Sequence, residues 1–135
     1  MVESKLLYNI VHGQPSDSLL EELLVHYQSI FEDYKLEFFK SRISQKDDLV
    51  ILLCYSSKLL VGFKIGYRYN ENTFYSWVGG VHKDYQRQGI GKTLAELQQE
   101  EVIKKGYQKL RTKSMNRFKP MIILNLKNGF DIIQS

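Results

Sequence analysis

Cysteine occurs once, at Cys54, so the chain cannot form an internal disulfide or build a cysteine-based zinc cluster. No metal site is expected. Prolines number two, and no Pro- or Ser-rich tract, low-complexity run or internal repeat interrupts the sequence. Nothing marks a linker, so residues 1–135 are expected to form one domain. No apolar run approaches the ~18 residues that a membrane helix needs. The first residues, MVESKLLYNIVHGQ, hold only a short apolar run with no small-residue cleavage site after it, so this stretch is not expected to be a signal peptide. What is present is a globular mix, 43% hydrophobic and 25% charged, long enough to bury a core without covalent staples. A soluble, cytoplasmic protein is the expectation.

Charge is uneven. The net charge is +4, yet residues 1–80 hold 8 basic and 10 acidic side chains, whereas residues 81–120 hold 10 and 4. The excess sits on Lys83, Arg87, Lys92, Lys104, Lys105, Lys109, Arg111, Lys113, Arg117 and Lys119. Such a block suits an anionic partner, either a nucleic acid or a phosphate-bearing cofactor, although a solvated lysine-rich surface has the same composition.

Hydrophobic patterning gives a mixed α/β order. Leu6 to Val11 reads as a strand. Ser18 with Glu21 reads as a capping box ahead of a helix through Leu20, Leu23, Leu24, Tyr27, Ile30 and Phe31. Leu36, Phe39 and Ile43 suggest a second helix. Leu49 to Tyr55, Leu59 to Arg68 and Thr73 to Val81 read as three strands joined by hairpins, the last with Gly79-Gly80 as a bulge or a close backbone approach. A helix from Ile90 to the stop at Lys104-Lys105-Gly106 follows. Then come a strand (Tyr107 to Ser114), a helix opened by Pro120 that carries Met121, Leu124 and Leu126, and a strand from Phe130 to Ile133. The expected order is β-α-α-β-β-β-α-β-α-β, antiparallel at first and with a parallel pair later.

The chemistry concentrates in His82-Lys83-Asp84-Tyr85-Gln86-Arg87-Gln88-Gly89-Ile90-Gly91-Lys92, between a strand and a helix. Glycines there let the backbone turn sharply, and the helix start adds free N–H groups and the positive end of its dipole, a setting suited to phosphate. Gly91-Lys92-Thr93 is like the end of a Walker loop, but position 86 is Gln where that motif needs Gly. A dinucleotide fingerprint needs Gly at position 94, which is Leu94. A bare turn with capping glycines is the non-functional alternative.

Gln86-Arg87-Gln88-Gly89-Ile90-Gly91 resembles the (Arg/Gln)-x-x-Gly-x-(Gly/Ala) loop of the GNAT superfamily of acyl-CoA-dependent N-acyltransferases. Ser114-Met115-Asn116 and Lys127-Asn128-Gly129-Phe130 extend the likeness, which covers residues 49–133 in order and spacing. The resemblance implies a GNAT-like fold and acetyl transfer from acetyl-CoA to a primary amine, on a small molecule or a peptide. It implies pyrophosphate bound by the backbone of Gln86, Arg87, Gln88, Gly89, Ile90, Gly91 and Lys92, and pantetheine beside Val81 and His82. Asn116 would touch the cofactor, and the basic block would serve its phosphates.

The sequence also departs from the family pattern. Tyr75 and Trp77 stand where members with an identified base often carry Glu or His, and Asn125 stands where many carry a Tyr acid. An amide cannot act as a general acid. Tyr75 through water and His82 are the candidate bases, against plainer roles as a packing aromatic and a loop histidine. His12 and His26 read as structural or solvent-facing, and Cys54 as inert core. The clusters Tyr67-Arg68-Tyr69 and Phe74-Tyr75-Ser76-Trp77 read either as strand packing or as an aromatic wall for an amine cation, and the acidic N-terminal portion is in keeping with a cationic acceptor. Six strands are expected, with the family's seventh missing and one sheet edge left for a second copy, a homodimer, to cover. A catalytically silent CoA-binding sensor is the alternative. No nucleic-acid motif supports DNA or RNA binding.

Overall fold

A computed structural model describes residues 5–31, 35–113, 121–126 and 131–134. Its elements are β1 (Leu6–His12), α1 (Asp17–Ile30), α2 (Leu36–Gln45), β2 (Val50–Ser56), β3 (Leu59–Arg68), β4 (Thr73–Val81), a 3-10 turn (Lys83–Tyr85), α3 (Ile90–Lys104), β5 (Lys109–Lys113), β6 (Met121–Asn125) and β7 (Asp131–Gln134). The strands form one sheet in chain order, β1 through β7. Every neighbouring pair is antiparallel except β4–β5, which is parallel and joined by α3.

The sheet has helices on both faces. Leu23 and Leu24 of α1 and Phe39 and Ile43 of α2 bury against Leu49, Ile51, Leu53, Phe63, Ile65 and Tyr67. Ile90, Leu94 and Val102 of α3 bury against Val50, Leu52, Cys54, Val61 and Phe74 on the opposite face. Because β2 contributes to both clusters, its unbroken apolar run is what a strand covered twice requires. Each such fully buried side chain contributes about 2 kcal/mol of transfer free energy. Cys54 lies wholly in this core, where burial raises its thiol pKa, as expected of an inert cysteine.

Three expectations need correction, and the choice left open at Gly79-Gly80 falls to the close backbone approach. Residues 121–125 form a strand, not a helix. A short apolar run can be read either way, and the adjacent β-branched Ile122 and Ile123 favour the strand that pairs with β5. The sheet therefore has seven strands, and the side of β5 expected to stand open is covered by β6. The cap of α1 is Ser16, whose hydroxyl accepts from the Leu19 N–H at 3.1 Å. Capping there puts Asp17 in the first turn, where the dipole favours it, and leaves Ser18 inside the helix. The bulge in β4 falls at Trp77, between the pairs Ile65–Val78 and Gly66–Ser76, and not at the two glycines. Gly79 and Gly80 instead mark a close approach: a Cβ would lie 3.0 Å from the Phe63 carbonyl oxygen in one case and 3.1 Å from Ile30 in the other.

A polar cluster ties the loops at one end of the sheet. Asp48, just ahead of β2, accepts from Lys105 Nζ at 2.7 Å and from the Tyr107 hydroxyl, and that hydroxyl accepts from Arg68 Nε at 3.1 Å. Burial alone would raise the Asp48 carboxyl, but its bonds to Lys105 and Tyr107, with the charges of Lys105 and Arg68, outweigh it and hold its pKa below the ordinary value. The carboxylate's contribution is therefore present above its unfolded pKa of ~3.9 and is lost as pH falls through the lower folded value. Asp48→Asn should lower stability by about 2 kcal/mol at pH 7 in urea denaturation. The gap to the wild type should begin to narrow once the titration is carried below the unfolded pKa of ~3.9, and a gap independent of pH would contradict the ionic role.

Candidate functional site

The segment from His82 to Lys92 is fixed at both ends. The His82 N–H donates to the Val61 carbonyl of β3 at 2.8 Å, His82 Nδ1 accepts from the Asp84 N–H at 3.1 Å, and Gln86 Nε2 reaches the Val81 carbonyl at 3.4 Å. At the far end Ile90 is buried against Gly62, where a Cβ would stand 2.8 Å from the isoleucine Cγ2. Only a glycine at 62 lets α3 lie this close to β3. Between the anchors, Arg87 and Gly89 take left-handed backbone, with φ of 67° and 78°.

The end of α3 so positioned is electrostatically unfinished. Gly89 caps it with no side-chain hydrogen bond, and its first turn holds no acidic residue. The Thr93 N–H bonds the Gly89 carbonyl at 3.0 Å, so the N–H groups of Ile90, Gly91 and Lys92 lie ahead of the first intrahelical bond. Arg87 and Lys92 add positive charge where the dipole is already positive. A Cβ on Gly91 would meet only Val81 Cγ2, at 4.0 Å. A cavity of about 460 Å³ opens here, lined by Val81, Tyr85, Gln86, Arg87, Gly89, Ile90 and Gly91. Free N–H groups, two cations and room without side chains suit an anion of phosphate type.

A slot adjoins the loop. The described β4–β5 ladder runs from Thr73–Lys109 to Ser76–Thr112, so among the described residues Val78 to Val81 pair with β3 alone and Trp77 bulges without a partner. Beside them lies a cavity of about 230 Å³ lined by Lys64, Gly79, Gly80, Val81, Gly91 and Leu94, with Phe63 at its base. Burial lowers the pKa of Lys64, the one titratable group among these lining residues, and nothing in its sequence context signals that position.

The structure thus brings together Val81, His82 and Gln86 through Lys92. Tyr75 lies elsewhere, six positions before Val81 on the α1–α2 face, edge-on to Tyr67 at 5.5 Å. Asn125 pairs in β6 with Lys109, in the row of Thr73 at the other end of β4, so it is not brought to the loop. Asn116 and the Gly129-Phe130 pair lie outside the described residues.

The basic block is not one patch. Arg87 and Lys92 flank the loop, but Lys104 and Lys105 lie at the far end of a 15-residue helix, ~22 Å away at ~1.5 Å per residue, and Lys105 is bound to Asp48. Nor is the aromatic wall free for a cationic ligand. Arg42 lies 5.2 Å from the Trp77 ring, Lys46 5.1 Å from Tyr67 and Arg111 4.6 Å from Tyr69, so the chain's own cations already occupy those faces.

The acetyltransferase (GNAT) family model matches residues 16–130, and the chain belongs to this family. No curated protein matches it in sequence. Among solved structures, it is similar to the ribosomal-protein-S18-alanine N-acetyltransferase of Escherichia coli at 20% identity and a TM-score of 0.67, over 83% of this chain and 71% of that one. It is similar to the PaiA N-acetyltransferase of Thermoplasma acidophilum, in complex with coenzyme A, at 20% identity and a TM-score of 0.59, over 81% of each chain. An aminoglycoside acetyltransferase from an uncultured soil metagenomic sample gives 16% identity and a TM-score of 0.65, over 84% and 79%. No described helix is long and apolar enough to cross a membrane.

Behind the loop, His26 of α1 is buried, edge-on to Phe63 and 6.5 Å from the His82 ring. Its Nε2 has no hydrogen-bond partner, and burial lowers its pKa to about 4. An unfolded histidine titrates near ~6.5, so between these values the unfolded chain binds the extra proton and stability falls as pH falls. Urea denaturation should show stability dropping by about 3 kcal/mol from pH 7 to pH 4 through this residue, at ~1.4 kcal/mol per pH unit. His26→Phe should flatten the slope in that window, and an unchanged slope would place the titration elsewhere.

Proposed function

We propose that the chain is an N-acetyltransferase that takes the acetyl group of acetyl-CoA and transfers it to a primary amine by direct attack, residues 1–135 acting as one domain. The observation that carries this reading is the start of α3, a helix end that holds cations and no acidic residue or side-chain cap. That arrangement costs the fold stability unless an anion offsets it. The Thermoplasma relative, solved with coenzyme A, supports the same ligand here. Pyrophosphate would be held by the backbone from Gln86 to Lys92 with the charges of Arg87 and Lys92. Pantetheine would lie along Val81 and His82, beyond the described β4–β5 ladder, with Asn116 carried over from the motif as a further contact.

Acetyl-CoA supplies a thioester carbonyl open to attack by a neutral amine. The backbone N–H groups of β4 beyond Ser76, unpaired with β5 among the described residues, are the donors available to polarise that carbonyl. A primary amine is protonated at pH 7 and must lose a proton first. The lone pair of His82 Nδ1 is taken by the Asp84 N–H. Tyr75, acting through water, is therefore the base we retain. Asn125 has no proton to give a departing thiolate.

Gly91→Glu separates ligand binding from folding. Its site has space, and both helix propensity and the dipole favour glutamate there by about 1 kcal/mol, so thermal stability should hold or rise. The new carboxylate would face the pyrophosphate. Calorimetric titration should give micromolar acetyl-CoA binding to the wild type and binding weaker by about 100-fold or more in the variant. A folded wild type that does not bind acetyl-CoA would overturn the reading, and equal binding by both proteins would move the site off this loop.

A further inference from the structure

Another cavity, of about 350 Å³, lies on the α1–α2 side of the sheet and is lined by Lys46, Tyr67, Arg68, Tyr69, Tyr75 and Arg111. Three of these six are cations and none is a carboxylate. Arg68 is committed elsewhere, donating to the Tyr107 hydroxyl at 3.1 Å with Asp48 at 3.9 Å. Lys46 and Arg111 have no carboxylate partner among the described residues. Each lies over a tyrosine ring, at 5.1 and 4.6 Å, which steadies the side chain and leaves its N–H donors unspent. Arg111 Nε is buried without a hydrogen-bond partner. A fork of guanidinium donors with an unsatisfied member matches an oxyanion better than any neutral or cationic group.

The cavity's place along the strands gives it a use. Tyr75 pairs with Arg111 one row before the β4–β5 ladder ends at Ser76–Thr112. The slot that would take the acyl donor lies further along the same strand, where Gly79 to Val81 line it, four to six positions past Tyr75. Successive rows are ~3.3 Å apart, so the cavity is within reach of a small molecule whose amine enters the slot.

We propose that Lys46 and Arg111 bind a carboxylate or phosphate on the amine acceptor, so that the preferred substrate carries an anionic group at the end away from its amine. This rests on the acetyltransferase reading and narrows it, against the cationic acceptor that the acidic N-terminal portion suggests.

A matched set of primary amines tests it: 6-aminohexanoate, 6-aminohexyl phosphate, hexylamine and 1,6-diaminohexane, assayed for thiol release from acetyl-CoA. The expected result is a kcat/KM for each anionic amine at least about tenfold above that for hexylamine, with the diamine lowest. Arg111→Gln and Lys46→Gln should each cut the ratio of anionic amine to hexylamine by about tenfold, and Arg111→Lys should keep part of it. Calorimetric binding of 6-aminohexanoate and hexylamine to the CoA-loaded protein reads the same preference without turnover and includes any variant that folds but is slow. Equal treatment of the four amines, preference for the diamine, or a ratio unmoved by both Gln variants would overturn the anion site while leaving acetyl-CoA binding intact. If acetyl-CoA itself does not bind, the acetyltransferase reading falls instead. The anion site is then judged by whether the chain alone binds 6-aminohexanoate more tightly than hexylamine and loses that difference in Arg111→Gln.

Discussion

The contact of Ile90 with Gly62 is the constraint on which the site depends. It seats the first turn of α3 against β3 so closely that a single methyl group at position 62 would collide with it. With the helix held there, its N–H groups and dipole end lie beside the last residues of β4 and cannot drift to a less charged setting. The left-handed backbone at Arg87 and Gly89 follows from the same anchoring, since the chain must leave β4 at Val81 and enter a helix whose position is already set. Buried apolar area thus holds a cationic helix end in place. On the proposed reading, stability and ligand affinity would come from different atoms of one short segment.

The second constraint is the parting of β4 from β5. A parallel pair is normally buried and continuous, yet among the described residues this one spans only Thr73 to Ser76 on β4. The bulge at Trp77 falls where the ladder stops. An extra residue there bends and twists the strand locally, which turns its outer edge away from the neighbour. The backbone groups so released lie between the anion-suited loop at one end and the tyrosine-lined cavity at the other. A sheet that stayed paired along all of β4 would have neither a slot nor free donors in it.

Much of this was legible in the sequence because its signals are local. The limits of β3 and β4 follow from alternating and apolar runs closed by turn residues, and the end of α3 from lysines followed by Gly106. The loop was legible because glycines and cations at a strand-to-helix junction have few uses. What sequence reading missed depends on partners distant in the chain. Residues 121–125 hold too few positions for helix and strand periods to differ, and pairing with β5 decides them. Ser16 and Ser18 are equal as caps until Asp17 is placed. The bulge at Trp77 answers to the register with β3 and not to the conspicuous glycines beside it. The aromatic clusters invite a cationic ligand only until Arg42 of α2, Lys46 just after it and Arg111 of β5 are seen lying on them. Lys46 carries no local sign of a binding role, because its significance comes wholly from the cavity it lines together with Arg111.

The distribution of charge along β4 bears on the absence of an evident base. On the proposed reading, the donor's phosphates meet Arg87 and Lys92 at one end and an acceptor's anion meets Lys46 and Arg111 at the other. Tyr75 and Val81 are six positions apart, ~20 Å at ~3.3 Å per residue, and Lys64 stands between them in a setting that already disfavours its charge. A like charge near an amine and partial removal from water both favour the neutral form. An ammonium brought into this stretch would meet both effects, and it would be tethered there by its own anion. Part of the work of deprotonation then falls on the environment and not on a single residue, so water leading past Tyr75 need carry away only a proton already loosened. Burial in the slot, which already disfavours the charge of Lys64, would act in the same direction on an ammonium held beside it.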